Sequence, residues 1–547
     1  MHRSSLENAR RSNGSLNVLE DARRRRKFLH DKHSILELLD SQLTGLIDRA
    51  STELRTSLVD APASSETARM TSLDSLAALD ANISYQAKNN RQGKNADDLS
   101  VEQRLPPKTF HLRNSLLTEL FELAHFRSLQ NIFIAIMSLF CLNTLISDVL
   151  EGKSLIDTFS LSLVFWAFGR LSDAIAIWLL MHAAALLVFY PAFHYYVSIA
   201  GTKGHSRISK SMWMIAYSVY QLWFLVQPIR MVLQFELLPA SALIVLTEQA
   251  RLMMKVHAFL WENARRGYYS STGSCSATAS DSSSSTASLT PRCPSFGRFL
   301  YFLFAPTLVY RDNYPRTDHI RWNYVASNLG QVVAGIFFVY LLVLRYYRPV
   351  FSHWRRPSLA HFVRTAFQSA LPGGLVLLIT FFTVLHSWMN AFAEMLTFGD
   401  RQFYCDWWNA TSFRTWYRTW NTVVHDWLYA YVYREICMLL GYEYRLLATV
   451  CVFLLSAIFH EIVISFGLGF FFPALFVSFC SFGFALMFAN GRSRFWAVFV
   501  WVCLFLGTGV LMCLYSMEWY ARRNCPTKYA DRPLLDFLIP RSFTCVV

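Results

Sequence analysis

The sequence predicts an all-α protein that crosses a membrane about nine times. Of its 547 residues, 54% are hydrophobic and only 16% are charged, whereas water-soluble domains carry about 25% charged residues. The apolar residues are concentrated in runs of roughly 20, the length that a helix needs to span a bilayer. Strand patterns are not evident beside them. The predicted spans are 128–149, 174–199, 213–235, 237–260, 321–344, 370–396, 443–466, 467–488 and 495–515.

Residues 1–105 are polar and are predicted to form a cytosolic tail. They contain no short apolar core of a secretory signal, and the basic run at 23–27 is typical of the cytosolic side of a membrane. Apolar residues recur at helical spacing near 29–54, which predicts an amphipathic helix for self-association or for lying on a membrane. The rest of the tail has little periodicity and is predicted to be largely disordered. No other feature suits nucleic acid, so no such partner is expected.

The remaining residues, 106–547, are predicted to form the membrane-embedded domain. With nine spans and a cytosolic N-terminus, the Ser-rich loop 265–297 lies in the cytosol and the C-terminal segment 517–547 lies in the lumen. The basic loop 345–364 then falls on the lumenal side, against the positive-inside bias. In an oxidising lumen, Cys525 and Cys545 would either form a disulfide or remain as two free thiols. The disulfide would close a loop of about 20 residues and stabilise the fold by roughly 3 kcal/mol.

The segment 403–433 is exceptionally aromatic, with twelve aromatic residues among 31. Arg414, Arg418, Asp406 and Asp426 are interspersed among them. This mixture suits the interfacial depth of a membrane, where a ring is half hydrated. It also suits a pocket that stacks an adenine ring and pairs its phosphates. Composition alone leaves both interpretations open.

His460 is the candidate catalytic residue, because it lies within the apolar helix predicted at 446–466. An ionisable group at this depth is a functional candidate by default, and the alternative is a packing hydrogen bond between helices. Ser456 lies one turn earlier on the same face, whereas Glu461 points elsewhere. No Gly-x-Ser-x-Gly elbow surrounds Ser456, so direct transfer is favoured over a covalent intermediate. His425, one turn from Asn421, is the alternative base.

Metal binding is not predicted, because no Cys-x-x-Cys or His-Glu-x-x-His spacing occurs. Nucleotide-binding fingerprints that would follow a strand are also missing from the sequence. We therefore expect no permanently bound cofactor.

A family resemblance rests on the run at 403–409, FYCDWWN. It resembles the FYxDWWN signature of the membrane-bound O-acyltransferase superfamily, in the branch shared by sterol and diacylglycerol acyltransferases. The stretches at 248–255, 305–316 and 386–400 agree with that branch. The run 417–427, YRTWNTVVHDW, and the C-terminal ending are more similar to the sterol enzymes. The matching motif residues are Phe403, Tyr404, Asp406, Trp407, Trp408 and Asn409.

The resemblance implies nine helices that enclose a tunnel, with His460 as base and Asn421 beside it at the centre. It also implies a lumenal disulfide between Cys525 and Cys545, an endoplasmic reticulum membrane location, and a homodimer or homotetramer. Acyl-CoA is the implied cosubstrate. The positions that match acyl-CoA contacts are Tyr417, Arg418, His425, Tyr433, Arg445 and Ser456.

Three positions depart from the family pattern. Arg445 stands where lysine is usual, which keeps the charge but changes its geometry. Thr415 replaces an asparagine at a CoA-contact position. Asn131 stands where some relatives have a histidine near the sterol, which leaves sterol selectivity open.

The expected reaction is the transfer of a long-chain acyl group from acyl-CoA to the 3-hydroxyl of a sterol such as cholesterol. One alternative acceptor is diacylglycerol or another lipid alcohol. A second alternative, of another class, is a non-enzymatic lipid transporter or sensor. Transporters often show internal repeats with broken spans, and no repeat is found in this sequence.

Overall fold

A computed structural model describes residues 105–152, 161–203, 207–271, 293–352, 359–489, 491, 493–527, 529 and 531–543. Helices joined by turns build this part of the chain. The N-terminal tail with its predicted amphipathic helix, most of the Ser-rich loop, and Cys545 lie outside the described residues.

The helices are numbered here in chain order. The first eight are α1 (Leu116–Leu120), α2 (Ala124–Leu150), α3 (Ser162–Ala167), α4 (Leu171–Ser198), α5 (Arg207–Gln234), α6 (Pro239–Ser271), α7 (Phe296–Phe304) and α8 (Trp322–Phe351). The next eight are α9 (Leu359–Met395), α10 (Phe413–Thr419), α11 (Thr422–Leu428), α12 (Arg434–Leu440), α13 (Tyr442–Leu468), α14 (Ala474–Leu486), α15 (Arg494–Asn524) and α16 (Pro533–Leu538).

Six helices of the described part are long and apolar enough to span a membrane, namely α2, α4, α8, α9, α13 and α15. They coincide with six of the nine predicted spans. The other three predicted spans are also helical, since α5 and α6 cover 213–235 and 237–260, and the short apolar α14 lies within 467–488. The prediction of an all-α, many-times-spanning protein is confirmed. The count of nine spans and the tunnel stay predictions.

Helices α5 and α6 form a hairpin in which a side chain of α6 supplies a hydrogen bond that the backbone of α5 lacks. Pro228 lies inside α5 and has no N–H to donate to the carbonyl of Phe224, four residues earlier. The side-chain amide of Gln249 in α6 donates to that carbonyl at 2.8 Å and to the carbonyl of Leu225 at 2.5 Å. A neighbouring helix therefore satisfies the acceptor that the proline leaves open.

Two basic residues of α6 hold the C-terminal end of α7. Lys255, only 1% exposed, donates to the carbonyl of Ala305 at 2.7 Å. Arg251 donates to the carbonyl of Leu303 at 2.5 Å and pairs with Glu248 at 2.6 Å. The last carbonyls of a helix have no partners within it, and cations near them are favourable. The stretch 248–255, which is part of the family resemblance, thus has a structural role in holding α7.

A second buried ion cluster lies where α9 ends. Glu394 is fully buried. It accepts three hydrogen bonds from Arg321, through its backbone N–H at 2.8 Å and its guanidinium at 2.9 Å, and it pairs with buried Arg401 at 2.6 Å. Two neighbouring cations offset the cost of burying this carboxylate. The cluster fixes the chain just before the aromatic segment 403–433.

Candidate active site

His460 lies on the side of α13 that packs against α14. The imidazole is exposed, although the helix around it is apolar. Leu454 and Ile458, 41% and 45% exposed, lie about 120° and 160° around the helix from it. On its own side, the His460 ring stacks on Phe479 of α14 with centroids 5.9 Å apart. The imidazole therefore faces a neighbouring helix rather than the outward face of α13.

The hydrogen bonds of His460 determine which ring nitrogen can act as a base. Nδ1 lies 2.7 Å from the backbone carbonyl of Ser456. A carbonyl can only accept, so Nδ1 carries the hydrogen and Nε2 of the neutral ring has the lone pair. Ser456 Oγ lies 3.4 Å from the same Nδ1, which cannot take its proton. This geometry disfavours a Ser456 nucleophile and agrees with direct transfer.

Glu461 is buried and points away from the imidazole, as the sequence analysis predicted. Its carboxylate accepts from Ser465 Oγ at 2.8 Å and from the backbone N–H of Phe476 at 3.2 Å. The second bond ties α13 to the start of α14, which supports the position of Phe479 against His460.

Asn421 begins helix α11 and has a fixed side chain. Its Oδ1 accepts from the backbone N–H of Val424 at 3.2 Å, a typical helix cap. With the oxygen committed to the cap, the amide Nδ2 is the group left to donate. Sequence spacing placed Asn421 near His425 but did not predict this cap.

The FYCDWWN run holds Asn421 in place through backbone hydrogen bonds. The carbonyl of Phe403 accepts from the N–H of Thr422 at 3.0 Å, and the N–H of Cys405 donates to the carbonyl of Thr419 at 2.8 Å. These bonds lie on either side of Asn421. The Trp407 ring packs 4.6 Å from Trp420. The run at 403–409 therefore fixes the turn between α10 and α11, and we name it the clamp.

The six motif residues divide by burial. Phe403, Tyr404 and Trp407 are at most 3% exposed, whereas Asp406 and Asn409 are exposed. Trp408 is half-buried, and its carbonyl accepts from the indole of Trp501 at 3.1 Å. The buried members form the packed part of the clamp.

Aromatic rings connect the Asn421 side of the site to His460. Tyr417 of α10 lies 5.1 Å from Phe453 of α13 and 5.5 Å from Phe479 between ring centroids. Phe479 in turn stacks on His460. The structure thus brings Tyr417 and the imidazole to the same aromatic cluster.

Three rings form a ladder along one face of α11 and the helical turn after it. His425, Tyr429 and Tyr433 follow at four-residue spacing, with centroids 6.4 and 6.0 Å apart and interplanar angles of 12° and 18°. Two of them, His425 and Tyr433, are predicted acyl-CoA contacts. The ladder is a continuous aromatic surface on which a planar base can stack.

Arginines surround this ladder. Burial raises the pKa of the Tyr429 phenol, and the nearby guanidinium groups of Arg434 and Arg418 oppose that shift. Burial likewise raises the pKa of Tyr433, and Arg445 opposes it. Arg418 and Arg445 are exposed, and Arg445 lies over the Tyr442 ring at 5.5 Å. The rim of the ladder is therefore positively charged and suits phosphate groups.

The structure also shows a buried polar network that the sequence analysis did not predict. His386 is 4% exposed, and its Nδ1 lies 2.7 Å from the hydroxyl of Tyr404 and 3.3 Å from the amide of Asn390. Asn390 also donates to Ser115 Oγ at 3.0 Å. The only signal was that His386 and Tyr404 lie in two stretches of the same family resemblance, which says nothing about contact.

Comparison with known proteins identifies the family. Residues 161–517 match the model of the membrane-bound O-acyltransferase family. The chain is 41% identical over 463 residues to sterol O-acyltransferase 1 of Chlorocebus aethiops, covering 83% of this chain and 81% of that protein. It is 42% identical over 451 residues to sterol O-acyltransferase 1 of Mus musculus, covering 81% and 80%. It is 39% identical over 450 residues to sterol O-acyltransferase 2 of Homo sapiens, covering 80% of each chain.

Of these matches, that of the family model at 161–517 spans the clamp, the aromatic ladder and the helix that carries His460. The relatives are matched over about four fifths of the chain. They agree with the resemblance found in the sequence and with the all-helical architecture. The chain belongs to the membrane-bound O-acyltransferase family, together with the sterol O-acyltransferases.

Proposed function

We propose that the protein transfers a long-chain acyl group from acyl-CoA to the 3-hydroxyl of a sterol such as cholesterol. The observation that carries this proposal is the orientation of His460. Its Nδ1 is held by the Ser456 carbonyl at 2.7 Å, and its ring is exposed and stacks on Phe479 of α14. Nε2 is thereby a fixed proton acceptor in an apolar environment. Sterol O-acyltransferase relatives at about 40% identity support the choice of reaction.

In the proposed step, the sterol hydroxyl oxygen attacks the thioester carbon while Nε2 of His460 accepts its proton. The carbon–sulfur bond then breaks, and the CoA sulfur leaves with the proton that the imidazolium returns. Ester and free CoA are the products, and no oxidant or metal takes part. General-base help of this kind typically contributes about 10²–10⁴ in rate.

The Nδ2 amide of Asn421 is proposed to donate to the thioester oxygen as negative charge develops on it. The cap on α11 and the clamp fix the amide before substrate arrives. A donor that is already oriented stabilises charge without reorganisation during the reaction. Asn421 and His460 would then meet at the reacting carbon, in the tunnel that the family resemblance implies.

The two substrates come from different solvents, because a sterol dissolves in lipid and CoA is highly charged. The ladder and its arginine rim suit the head of CoA, with Arg418 and Arg445 pairing its phosphates and Tyr417, His425, Tyr433 and Ser456 along its path. The acyl chain would extend among the apolar helices. Excluding water there protects the thioester from hydrolysis and strengthens dipolar contacts.

The decisive experiment presents labelled oleoyl-CoA to the purified protein with cholesterol, with diacylglycerol, or with no acceptor. We expect labelled steryl ester, with much less triacylglycerol and little free fatty acid. A matched preparation of His460→Asn controls for contaminating enzymes. Triacylglycerol as the main product would change the acceptor to diacylglycerol. No transfer to any alcohol would favour a transporter or sensor.

Cellular location and assembly follow from the same proposal. We infer an endoplasmic reticulum membrane, a cytosolic N-terminus, and a homodimer or homotetramer aided by the amphipathic helix near 29–54. Mass photometry after deletion of residues 1–60 tests the last point, and an unchanged tetramer would count against it.

The lumenal disulfide is part of this proposal as well. Cys525 is buried at the end of α15, and its carbonyl accepts from Arg541 at 3.1 Å. Arg541 also pairs with Asp536 at 2.7 Å. The C-terminal segment thus returns to Cys525 four residues before Cys545. Mass spectrometry of peptides without reduction tests the pairing.

A further inference from the structure

An extended segment, residues 105–113, lies along the aromatic ladder, and we name it the strap. Leu105 is 7% exposed and packs in one apolar cluster with Tyr433 and Cys437. One residue later, the carbonyl of Pro106 accepts from the hydroxyl of Tyr429 at 3.3 Å. The strap therefore contacts the far end of the ladder first and its middle next.

The third contact lies beside the first ring of the ladder. Lys108 Nζ lies 2.6 Å from one carboxylate oxygen of Asp426, and the other oxygen lies 3.5 Å from His425 Nδ1. Burial alone would raise the pKa of Asp426, but the hydrogen bond with His425 and the charge of Lys108 hold it below its usual value. Asp426 is therefore a carboxylate shared between the strap and His425.

The far end of the strap is fixed independently of the ladder. Arg113 pairs with buried Asp400 at 2.6 Å, and its N–H donates to the carbonyl of Gly399 at 2.9 Å. Arg311 donates to the carbonyl of Lys108 at 3.3 Å. The strap is thus held at both ends and in the middle, and it runs antiparallel to the ladder, from Cys437 towards Asp426.

We propose that the strap forms one wall of the acyl-CoA site and that Lys108 and Asp426 position His425 within it. This inference rests on the proposed function, since His425 and Tyr433 matter here as acyl-CoA contacts. Lys108 and Asp426 are positioning residues, because they act through His425 rather than on the reacting atoms. Their removal changes how well the donor binds and leaves the chemical step intact.

The first test is steady-state kinetics of Lys108→Met, Asp426→Asn and the double variant, with oleoyl-CoA and cholesterol varied separately. We expect the KM for oleoyl-CoA to rise about fivefold in each, the scale of one partly buried ion pair, with kcat within about twofold. The double variant should lose no more than either single variant, because both remove the same pair. Lys108→Arg should restore the wild-type KM.

Asp173→Asn is the matched control. Asp173 pairs with Arg170 at 2.9 Å on an exposed surface, so its loss should leave both KM values unchanged. An unchanged KM for oleoyl-CoA in Lys108→Met and Asp426→Asn would overturn the inference. Equal changes in kcat and in both KM values would reduce the pair to a general structural role and overturn it as well.

A second measurement does not depend on those variants folding. Pro106→Cys and Leu112→Cys are each labelled with a maleimide and followed by peptide mass spectrometry, with and without oleoyl-CoA in the absence of sterol. Oleoyl-CoA should slow labelling at position 106 at least threefold and leave position 112, which is 65% exposed, unaffected. Equal rates at position 106 would overturn the wall. Wild-type protein that forms no ester would instead refute the proposed function, while protection by oleoyl-CoA would still report donor binding.

Discussion

His386 and His460 are two histidines in apolar helices, and the structure places them in opposite environments. His386 is 4% exposed, and groups from three other positions, Tyr404, Asn390 and Ser115, surround its Nδ1. His460 is exposed, and in the described part of the chain its Nδ1 contacts only its own helix, through the Ser456 carbonyl and hydroxyl. The two side chains are the same, but His386 is buried among groups from other segments, whereas His460 is exposed beside Phe479 of α14.

The comparison teaches how to separate structural from catalytic polar groups in an apolar protein. A buried polar group is stable where neighbouring groups satisfy it, and His386 is satisfied by contacts that fix Tyr404 of the clamp. None of the described residues is hydrogen-bonded to Nε2 of His460. A proton acceptor that is oriented but unengaged is suited to chemistry.

The largest expected effect concerns His460, the exposed histidine that is proposed as the base. His460→Asn removes the base, and kcat should fall by about 10²–10⁴ while the protein keeps its thermal stability and oligomeric state. Esterification in microsomes, normalised to folded protein by size-exclusion chromatography, measures this. Near-normal turnover would end the assignment of His460.

The next largest effect concerns Asn421, the proposed hydrogen-bond donor to the thioester oxygen. Asn421→Asp keeps the oxygen that caps α11 but removes the amide hydrogens, so kcat should fall by about 10²–10³, as for the loss of one oxyanion donor. Asn421→Ser is a neutral control for the added charge and also keeps a capping oxygen. A large drop in melting temperature with unchanged kcat would assign Asn421 to structure alone.

The smallest effect concerns His386, the buried histidine of the comparison. His386→Phe removes the imidazole nitrogen that lies 2.7 Å from the Tyr404 hydroxyl in a buried site, which should cost about 1–3 kcal/mol of stability. Turnover per folded molecule should fall by less than about tenfold. Thermal unfolding in detergent and active-site-normalised kinetics measure the two quantities. A loss of turnover as large as that of His460→Asn, at unchanged melting temperature, would instead give His386 a catalytic role.

Much of the fold followed from the sequence, because crossing a membrane requires long apolar helices and such runs are visible directly. The helix of His460 and the divergence of Glu461 from it were predicted from helical periodicity. The clamp around Asn421 and the strap could not be predicted. They depend on contacts between segments far apart in the chain, such as Lys108 with Asp426, and a single sequence carries no signal of such pairs.

The α5–α6 hairpin has a consequence for biogenesis. If α5 entered the bilayer by itself, the Phe224 carbonyl, which Pro228 leaves unpaired, would face hydrocarbon without a hydrogen-bond donor. This would cost several kcal/mol. Gln249, the side chain that relieves this, is only translated after the helix is complete. We therefore expect the translocon to retain α5 until α6 has emerged and to release the two helices laterally as one unit.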